Sequence, residues 1–225
     1  MHFGKHNIRQ HYTMGGHRLE ASRQEKDLGV IIEDNLKPSA QCAKAAAKAN
    51  MVLGQLTRGC TWRDPENLTR LYKVYVRPHL EYAQSSWSPW SQADIQTLEQ
   101  VQHRFTRQVC GMGSLPYEER LKRLGLTTLQ ARRDRGDMIE TYKIVTGKVD
   151  VQADTWFTPM STREGATSTR SAMGHLNLTR KDAKHANRLH QFSVRVVPRW
   201  NALPDIVKTQ PTLNSFKNAY DNMQK

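Results

Sequence analysis

The sequence predicts a mostly α fold with a small N-terminal β element, an α+β class, from three observations. The first 35 residues hold a β-branched run and a pair of adjacent glycines. After them, apolar residues recur at the three-and-four spacing of helices. Capping residues, glycines and prolines separate these segments. The chain has 225 residues, of which 37% are hydrophobic and 24% charged, so it can bury a sizeable core.

The β element is predicted from two features of residues 1–35. Met14-Gly15-Gly16-His17 suits a tight hairpin between Gln10–Met14 and Arg18–Glu20, because paired glycines readily take positive φ angles. The β-branched run from Lys26 to Glu33 predicts one buried strand. Gly29 inside this run indicates either a bulge or the close approach of another backbone. The simple bulge is the plainer interpretation.

The next segment, residues 39–58, predicts an alanine-rich helix. Its buried face would carry Cys42, Ala45, Ala46, Ala49, Leu53 and Leu56. Asp64 and Pro65 then suit the N-cap and first position of another helix. The buried face of that helix would carry Leu68, Leu71, Tyr72, Tyr75, His79 and Tyr82. Pro78 removes one backbone hydrogen bond there, which predicts a kink.

Ser91 and Asp94 are spaced as a cap for the following helix. Its apolar side would carry Ile95, Leu98, Val101, Gln102, Phe105 and Val109. We expect this helix to pack against the helix that begins at Pro65, with Tyr72, Tyr75, Trp87 and Phe105 in the core.

The remaining chain predicts further helices around one loop. A short helix should begin at Pro116 and end at Gly125, and a longer one should start near Thr127 and stop at Gly147. Arg132, Arg133, Arg135, Asp134 and Asp137 give the longer helix the appearance of a salt-bridged outer surface. Residues 148–180, rich in Ser, Thr and Gly, predict a flexible basic loop. Apolar spacing returns over 189–203 and after Pro211.

Charge is the compositional feature that bears on function. Lys and Arg number 34 against 21 Asp and Glu, a net charge of +13, which favours polyanion binding. Between residues 36 and 63 the chain has no acidic residue. Its basic residues there are Lys37, Lys44, Lys48, Arg58 and Arg63. A small-residue helix with a cationic side can approach a phosphate backbone closely. An ordinary solvated face is the alternative.

A second basic stretch runs from Arg163 to Arg199. Eight basic residues there face two acidic ones, Glu164 and Asp182, a local net charge of +6. This stretch is the second candidate region for anion binding.

The sequence offers no catalytic or metal-ligating motif. It has no nucleophile elbow, phosphate-binding glycine loop, HExxH or Asp-Asp pair. Three distant cysteines argue against a disulfide framework, and the absence of CxxC or CxxH spacing argues against zinc. No apolar run approaches the roughly 20 residues of a membrane span. The N-terminus does not look like a signal peptide. We therefore expect an intracellular protein, nuclear or cytoplasmic, that is not secreted.

Several segments resemble the reverse transcriptases of non-LTR, LINE-type, jockey-like retrotransposons. They are Glu25–Ile32 before the alanine-rich helix, Tyr72–Tyr82, Trp87–Pro89, Tyr117–Leu129, Arg135–Lys143, Phe192–Val197, Trp200–Pro204 and Asn214–Lys217. The resemblance covers nearly the whole chain in the order that the family has.

The resemblance implies a C-terminal fragment of an RNA-directed DNA polymerase. Residues 1–35 would be the end of the palm with a primer-grip-like hairpin and strand, in which the Leu28-Gly29 turn would correspond to the primer grip. Residues 36–112 would be a helical thumb and 113–225 a helical C-terminal region. The family's metal-binding aromatic-Ala-Asp-Asp motif is absent, so we expect no catalytic residue, no metal site and no polymerase activity from this chain alone. Mg²⁺ would be a cofactor of the complete polymerase only.

Its expected function is therefore binding of an RNA/DNA template–primer duplex, together with the palm and fingers of a complete enzyme. The predicted nucleic-acid-binding residues are Lys26, Gly29, Lys44, Lys48, Arg58 and Arg63. One alternative is a decayed or domesticated remnant that acts as a helical protein-interaction module. Another is a general basic protein that binds any polyanion equally.

Overall fold

The fold was analysed in a computed structural model, which describes residues 1–4, 7–60, 63–160 and 176–224. It is mostly helical with three small antiparallel strand pairs in the described residues, so the predicted fold class is confirmed. Two compact units, Met1–Gln130 and Ala131–Lys225, divide the chain. This division lies beyond the boundary predicted after residue 112. Among the described residues, no helix combines the length and apolar character that crossing a membrane requires.

The first unit begins with two hairpins and continues as helices. Strands β1 and β2 form the first hairpin and β3 and β4 the second; helices α1 to α6 follow, with a π turn between α2 and α3. Their bounds are β1 Thr13–Met14, β2 His17–Arg18, β3 Gln24–Asp27, β4 Val30–Glu33, α1 Ser39–Gly59, α2 Pro65–Leu71, the π turn Tyr72–Val76, α3 Arg77–Glu81, α4 Gln84–Trp87, α5 Gln92–Gln108 and α6 Tyr117–Arg123.

The second unit is built from helices and one short strand pair, β5 with β6. The bounds from α7 onward are α7 Leu129–Val145, α8 Ala153–Trp156, β5 Thr158–Pro159, β6 Leu178–Thr179, α9 Ala186–Leu189, α10 Phe192–Asn201, α11 Asp205–Lys208 and α12 Leu213–Met223. Helix α7 starts two residues before the division. The predicted loop near 148–180 contains α8, β5 and β6, while its residues 161–175 lie outside the described part of the chain.

The first hairpin is confirmed and the second corrects a prediction. Gly15 and Gly16 form the first turn with φ of 56° and 81°. The run from Lys26 to Glu33 is not one strand, because Leu28 and Gly29 form a two-residue turn with φ of 44° and 89°. Two successive positive φ angles reverse the chain in the sense that hairpins favour. Leucine rarely adopts such an angle, which is why the sequence pattern did not reveal this turn.

Helix α1 lies at the centre of the first unit. It packs against α5, the π turn, α3 and β4 through the small side chains on its buried face. Cys42 and Ala49 are completely buried, and Ala45, Ala46 and Leu53 are nearly so. The predicted direct pairing of the two later helices is seen where the rings of Tyr72 and Phe105 stack with centroids 4.0 Å apart.

The π turn corrects the predicted buried face of the second helix. The N–H of Arg77 donates to the carbonyl of Tyr72, five residues back, and Pro78 follows without an N–H. The wider turn shifts the helical repeat. The buried side chains are therefore four residues apart, at Leu68, Tyr72, Val76 and Leu80. Tyr75 and Tyr82, predicted to be core residues, are 54% and 57% exposed.

A buried polar network joins α5 to α6 and the turn after it. The hydroxyl of Tyr72 donates to Gln102 Oε1 (3.0 Å), and Gln102 Nε2 donates to the hydroxyl of Tyr117 (2.9 Å) and the carbonyl of Thr127 (3.0 Å). The Tyr117 hydroxyl donates in turn to Glu99. Burial raises the pKa of the Tyr72 and Tyr117 hydroxyls far above their ordinary value, so both remain protonated donors.

Charged residues of α7 hold the second unit together. Arg195 donates to both oxygens of Asp137 at 3.0 Å, and Arg135 pairs with Asp221. The predicted outer surface of α7 is thus wrong for Asp137, which is only 4% exposed, and for the buried Arg133. Charges so placed need partners, and Asp137 finds its partner on α10 while Arg135 finds its own on α12. The adjacent core contains Tyr142, Trp200 and Phe216.

Removing the hydroxyl of Tyr72 tests the polar network. Tyr72→Phe leaves the buried Gln102 Oε1 without its hydrogen-bond donor. We therefore expect the free energy of unfolding to fall by about 1–3 kcal/mol. Urea denaturation measures this change. Tyr75→Phe is the matched control, because that side chain is exposed. Removal of its hydroxyl should change the free energy of unfolding by less than about 0.5 kcal/mol. Equal effects from both substitutions would contradict the role assigned to the network.

Candidate nucleic-acid interface

The exposed side of α1 is the principal candidate interface. Lys48 and Arg58 are exposed on it and Lys44 is half-buried. Lys44 and Lys48 are one turn apart, and Arg58 lies further along the same helix. The separation of 14 residues between Lys44 and Arg58 corresponds to about 21 Å along the axis. Ala43 directly precedes Lys44 and Ala47 directly precedes Lys48, and both alanines are exposed, so the residues beside the lysines on this side are small.

The second hairpin is fixed to the N-terminal half of α1. The N–H of Ile31 donates to Gln41 Oε1 at 2.8 Å, and the N–H of Ala40 donates to Glu33 Oε2 at 3.0 Å. Lys44 Nζ donates to the carbonyl of Gly29 at 3.0 Å. The structure thus brings Gly29 and Lys44, two of the predicted site residues, into direct contact.

The tip of this hairpin is also held by Tyr82. Its hydroxyl donates to the carbonyl of Leu28 at 2.9 Å, and its ring lies 3.4 Å from where a Cβ on Gly29 would be. A close approach at Gly29 therefore exists, but the neighbouring group is an aromatic side chain and not another backbone. Gly29 is a turn residue and does not form a bulge. The Leu28 side chain points into solvent and is 85% exposed.

The other predicted site residues lie apart from this contact. Lys26 is exposed on β3, opposite Ile31. Arg58 is exposed in the last turn of α1. Arg63 is exposed after the helix, and its carbonyl accepts a hydrogen bond from the N–H of Cys110 at 2.9 Å. Five of these six residues are basic, and all six lie in the first unit, on the second hairpin, on α1 and directly after it.

The second basic stretch is a weaker candidate than α1. Arg163 and Arg170 lie outside the described residues. Arg195 is bonded to Asp137, and Arg199 is paired with Asp134. Because carboxylates neutralise these two arginines, they add little positive potential for an external phosphate.

The described residues contain no group of three or more His, Cys, Asp or Glu side chains that could hold a metal ion. The cysteines are free thiols, with Cys42 buried and Cys110 exposed. Comparison with family models, with curated proteins and with solved structures gives no match for the chain. The resemblance to retrotransposon reverse transcriptases therefore stays a prediction that rests on the segments quoted above.

Sequence reasoning missed one further feature, a recess of about 620 Å³ along α5. It is lined by Gln96, Glu99, Gln100, His103, Arg104, Arg107 and Gln108. The available signal was the polar side of α5, where Arg104 and Arg107 are three residues apart. The apolar pattern of α5 gives no indication of this recess.

The clamp on the hairpin tip can be tested with a matched pair of tyrosine substitutions. Tyr82→Phe removes the hydrogen bond to Leu28, which contributes about 0.5–1.5 kcal/mol to holding the tip in place. We expect the β3–β4 amides to exchange several-fold faster in native-state hydrogen exchange. Tyr75→Phe, at a similar exposure and with no hydrogen bond found for its hydroxyl among the described residues, should leave them unchanged. Unaltered exchange in Tyr82→Phe would show that the clamp does not stabilise the turn.

Proposed function

We propose that the chain binds nucleic acid as the template–primer-binding portion of a retrotransposon RNA-directed DNA polymerase. The observation that carries this proposal is the exposed side of α1, which has Lys44, Lys48 and Arg58 in a stretch of chain without acidic residues. Phosphate contacts of this kind give affinity without sequence preference. A protein that holds template–primer duplexes of differing sequence requires such contacts. The resemblance supplies the RNA/DNA hybrid as the expected duplex.

The docked hairpin supports the same proposal through its position. Lys44 reaches Gly29 at the tip, so one cation is fixed where β3–β4 meets α1. Lys48, one turn further along α1, is exposed. A fixed cation loses little conformational entropy when it meets a phosphate, which makes the hairpin end of α1 the favoured point of contact.

Polymerisation is not part of the proposal for this chain alone. Phosphoryl transfer uses metal ions to stabilise the developing charge, and the family holds them with paired aspartates that this sequence lacks. We expect no primer extension above background when the purified chain receives Mg²⁺, a primed RNA template and deoxynucleotides. Measurable incorporation would contradict this expectation.

A second candidate function, a helical protein-interaction module, is favoured by a different observation. Leu28, Val74, Tyr75 and Tyr82 are large apolar or aromatic side chains that are all more than half exposed. Aromatic side chains are enriched in protein interfaces. This function predicts no ordered response to salt when the chain is offered a duplex.

The salt dependence of hybrid binding tests the proposal. We expect the affinity of the purified chain for an RNA–DNA hybrid to fall linearly on a log–log plot as salt rises. Lys48→Gln and Arg58→Gln should each reduce the slope by about one. Lys44 is a poor choice for this test, because its loss also frees the hairpin tip. Fluorescence anisotropy with a labelled hybrid provides the measurement.

Lys148→Gln is the matched control, since Lys148 is an exposed lysine of the second unit that lies outside both basic stretches. It should leave both affinity and slope nearly unchanged. Competition with single-stranded RNA and heparin separates a duplex binder from a general polyanion binder. Equal losses in all three variants, or equal competition by every polyanion, would contradict the proposed function.

A further inference from the structure

The recess along α5 has an excess of positive charge that the proposed function does not use. Arg104 and Arg107 line it and are exposed, and no ion pair is found for either within the described residues. Residues three apart on a helix have side chains on neighbouring positions, so both guanidinium groups can reach one ligand. Gln96, Gln100 and Gln108 add amide groups that can donate hydrogen bonds.

The one carboxylate of the recess is already engaged. Glu99 accepts hydrogen bonds from the hydroxyl of Tyr117 and from the N–H of Leu129, at 3.0 Å for its Oε2. Both donors are neutral, so they satisfy its oxygens without the arginines. Glu99 is thereby fixed at the inner side of α5 and does not form an ion pair with Arg104 or Arg107.

Arg120 adds a buried positive charge beside the recess. Its side chain is only 2% exposed; Nη1 donates to the carbonyl of His103 at 3.1 Å, and Nε is buried without a hydrogen-bond partner. The guanidinium carbon lies 5.4 Å from the centre of the Tyr117 ring. No carboxylate pairs with Arg120 in the part of the chain that the structure describes. A buried cation in this situation is costly unless an anion compensates it.

The groups at this place repel one another as cations. Burial, followed by the charges of Arg120 and Arg107, lowers the pKa of His103 below its ordinary value, while Glu99 opposes the change. Burial and the charge of Arg107 likewise lower the pKa of Arg120. His103 stacks on Tyr117 with ring centroids 3.4 Å apart, so the imidazole is held at the edge of the recess. A bound anion would relieve this repulsion.

We propose that the α5 recess binds a phosphate group, with Arg104 and Arg107 as direct ligands and Arg120 as a supporting charge behind them. Guanidinium groups bind phosphate oxygens with paired, charge-assisted hydrogen bonds. The phosphate can belong to a small oligophosphate or to a nucleic-acid strand, and both present the same oxygens. This site is separate from the α1 surface and does not depend on the function proposed for it.

Binding of pyrophosphate tests the proposal directly. We expect pyrophosphate to raise the thermal unfolding temperature of the intact chain, and Arg107→Gln and Arg104→Gln to weaken its binding about tenfold each. Both arginines are exposed, so the variants should fold. Arg9→Gln, which removes an exposed arginine outside both basic stretches, is the matched control and should bind as the unsubstituted chain does. Equal binding by all of these proteins would overturn the proposal.

The His103 imidazole provides a readout that a purely structural role would not move. An anion in the recess favours the imidazolium, so saturating pyrophosphate should raise the pKa of His103 by about one unit. The charged and titratable groups that face this ring are Glu99, Arg107, Tyr117 and Arg120. Histidine NMR titration, assigned with His103→Gln, measures the shift. No shift, or an equal shift at the other histidines, would overturn the proposal.

A second arm of the experiment identifies the source of the phosphate. A short single-stranded oligonucleotide replaces pyrophosphate against the same variants. If Arg107→Gln weakens the oligonucleotide as well as pyrophosphate, the recess takes phosphates of a strand; if it weakens pyrophosphate alone, the recess takes a free oligophosphate. Either result supports phosphate binding at the recess. If neither probe distinguishes Arg107→Gln from Arg9→Gln, the proposal is wrong. Failure of Lys48→Gln to weaken hybrid binding would concern the α1 surface only.

Discussion

The first unit depends on the close packing that small side chains allow along one side of α1. Cys42, Ala45, Ala46 and Ala49 are almost fully buried, so α5, the π turn and the second hairpin can all approach this helix. The same helix keeps its charged residues on the opposite side, because an unpaired charge is costly to bury. One helix therefore organises the core with one side and presents cations to solvent with the other. The proposed interface is a consequence of this division.

The polar network around Gln102 adds a second constraint on the same unit. Gln102 connects the π turn, α5 and α6, and its oxygen and nitrogen both have partners in a buried place. Such a network favours one arrangement of helices over alternatives. The arrangement keeps Glu99 engaged and Tyr117 beneath His103, with Arg120 beside them. The recess of α5 keeps a net positive charge because Arg104 and Arg107 outnumber its one carboxylate, Glu99.

The sequence predicted the features that depend on residues close together in the chain. The caps at Asp64 and Ser91 accept hydrogen bonds from Asn67 and Asp94, as expected. The Leu28-Gly29 turn could not be predicted in the same way, since its bond to Tyr82 joins residues 54 positions apart. The pairing of Asp137 with Arg195 joins residues 58 positions apart. It allows the carboxylate of Asp137 to be buried, although the sequence predicted this residue on the outer surface. The cationic side of α1 followed from helical spacing, whereas the position of Arg120 beside the α5 recess required the packing of α6.

The central claim is that α1 meets nucleic acid with its exposed side, and its alanines provide the probe. Ala43 precedes Lys44 and Ala47 precedes Lys48, and both alanines are exposed, while Ala45 and Ala49 face the core of the same helix. Alanine-methyl NMR of the chain during titration with an RNA–DNA hybrid distinguishes the two sides. Large shifts of the Ala43 and Ala47 methyl signals, with Ala45 and Ala49 little changed, are the result that we expect. Saturable binding that leaves Ala43 and Ala47 unmoved would contradict the claim.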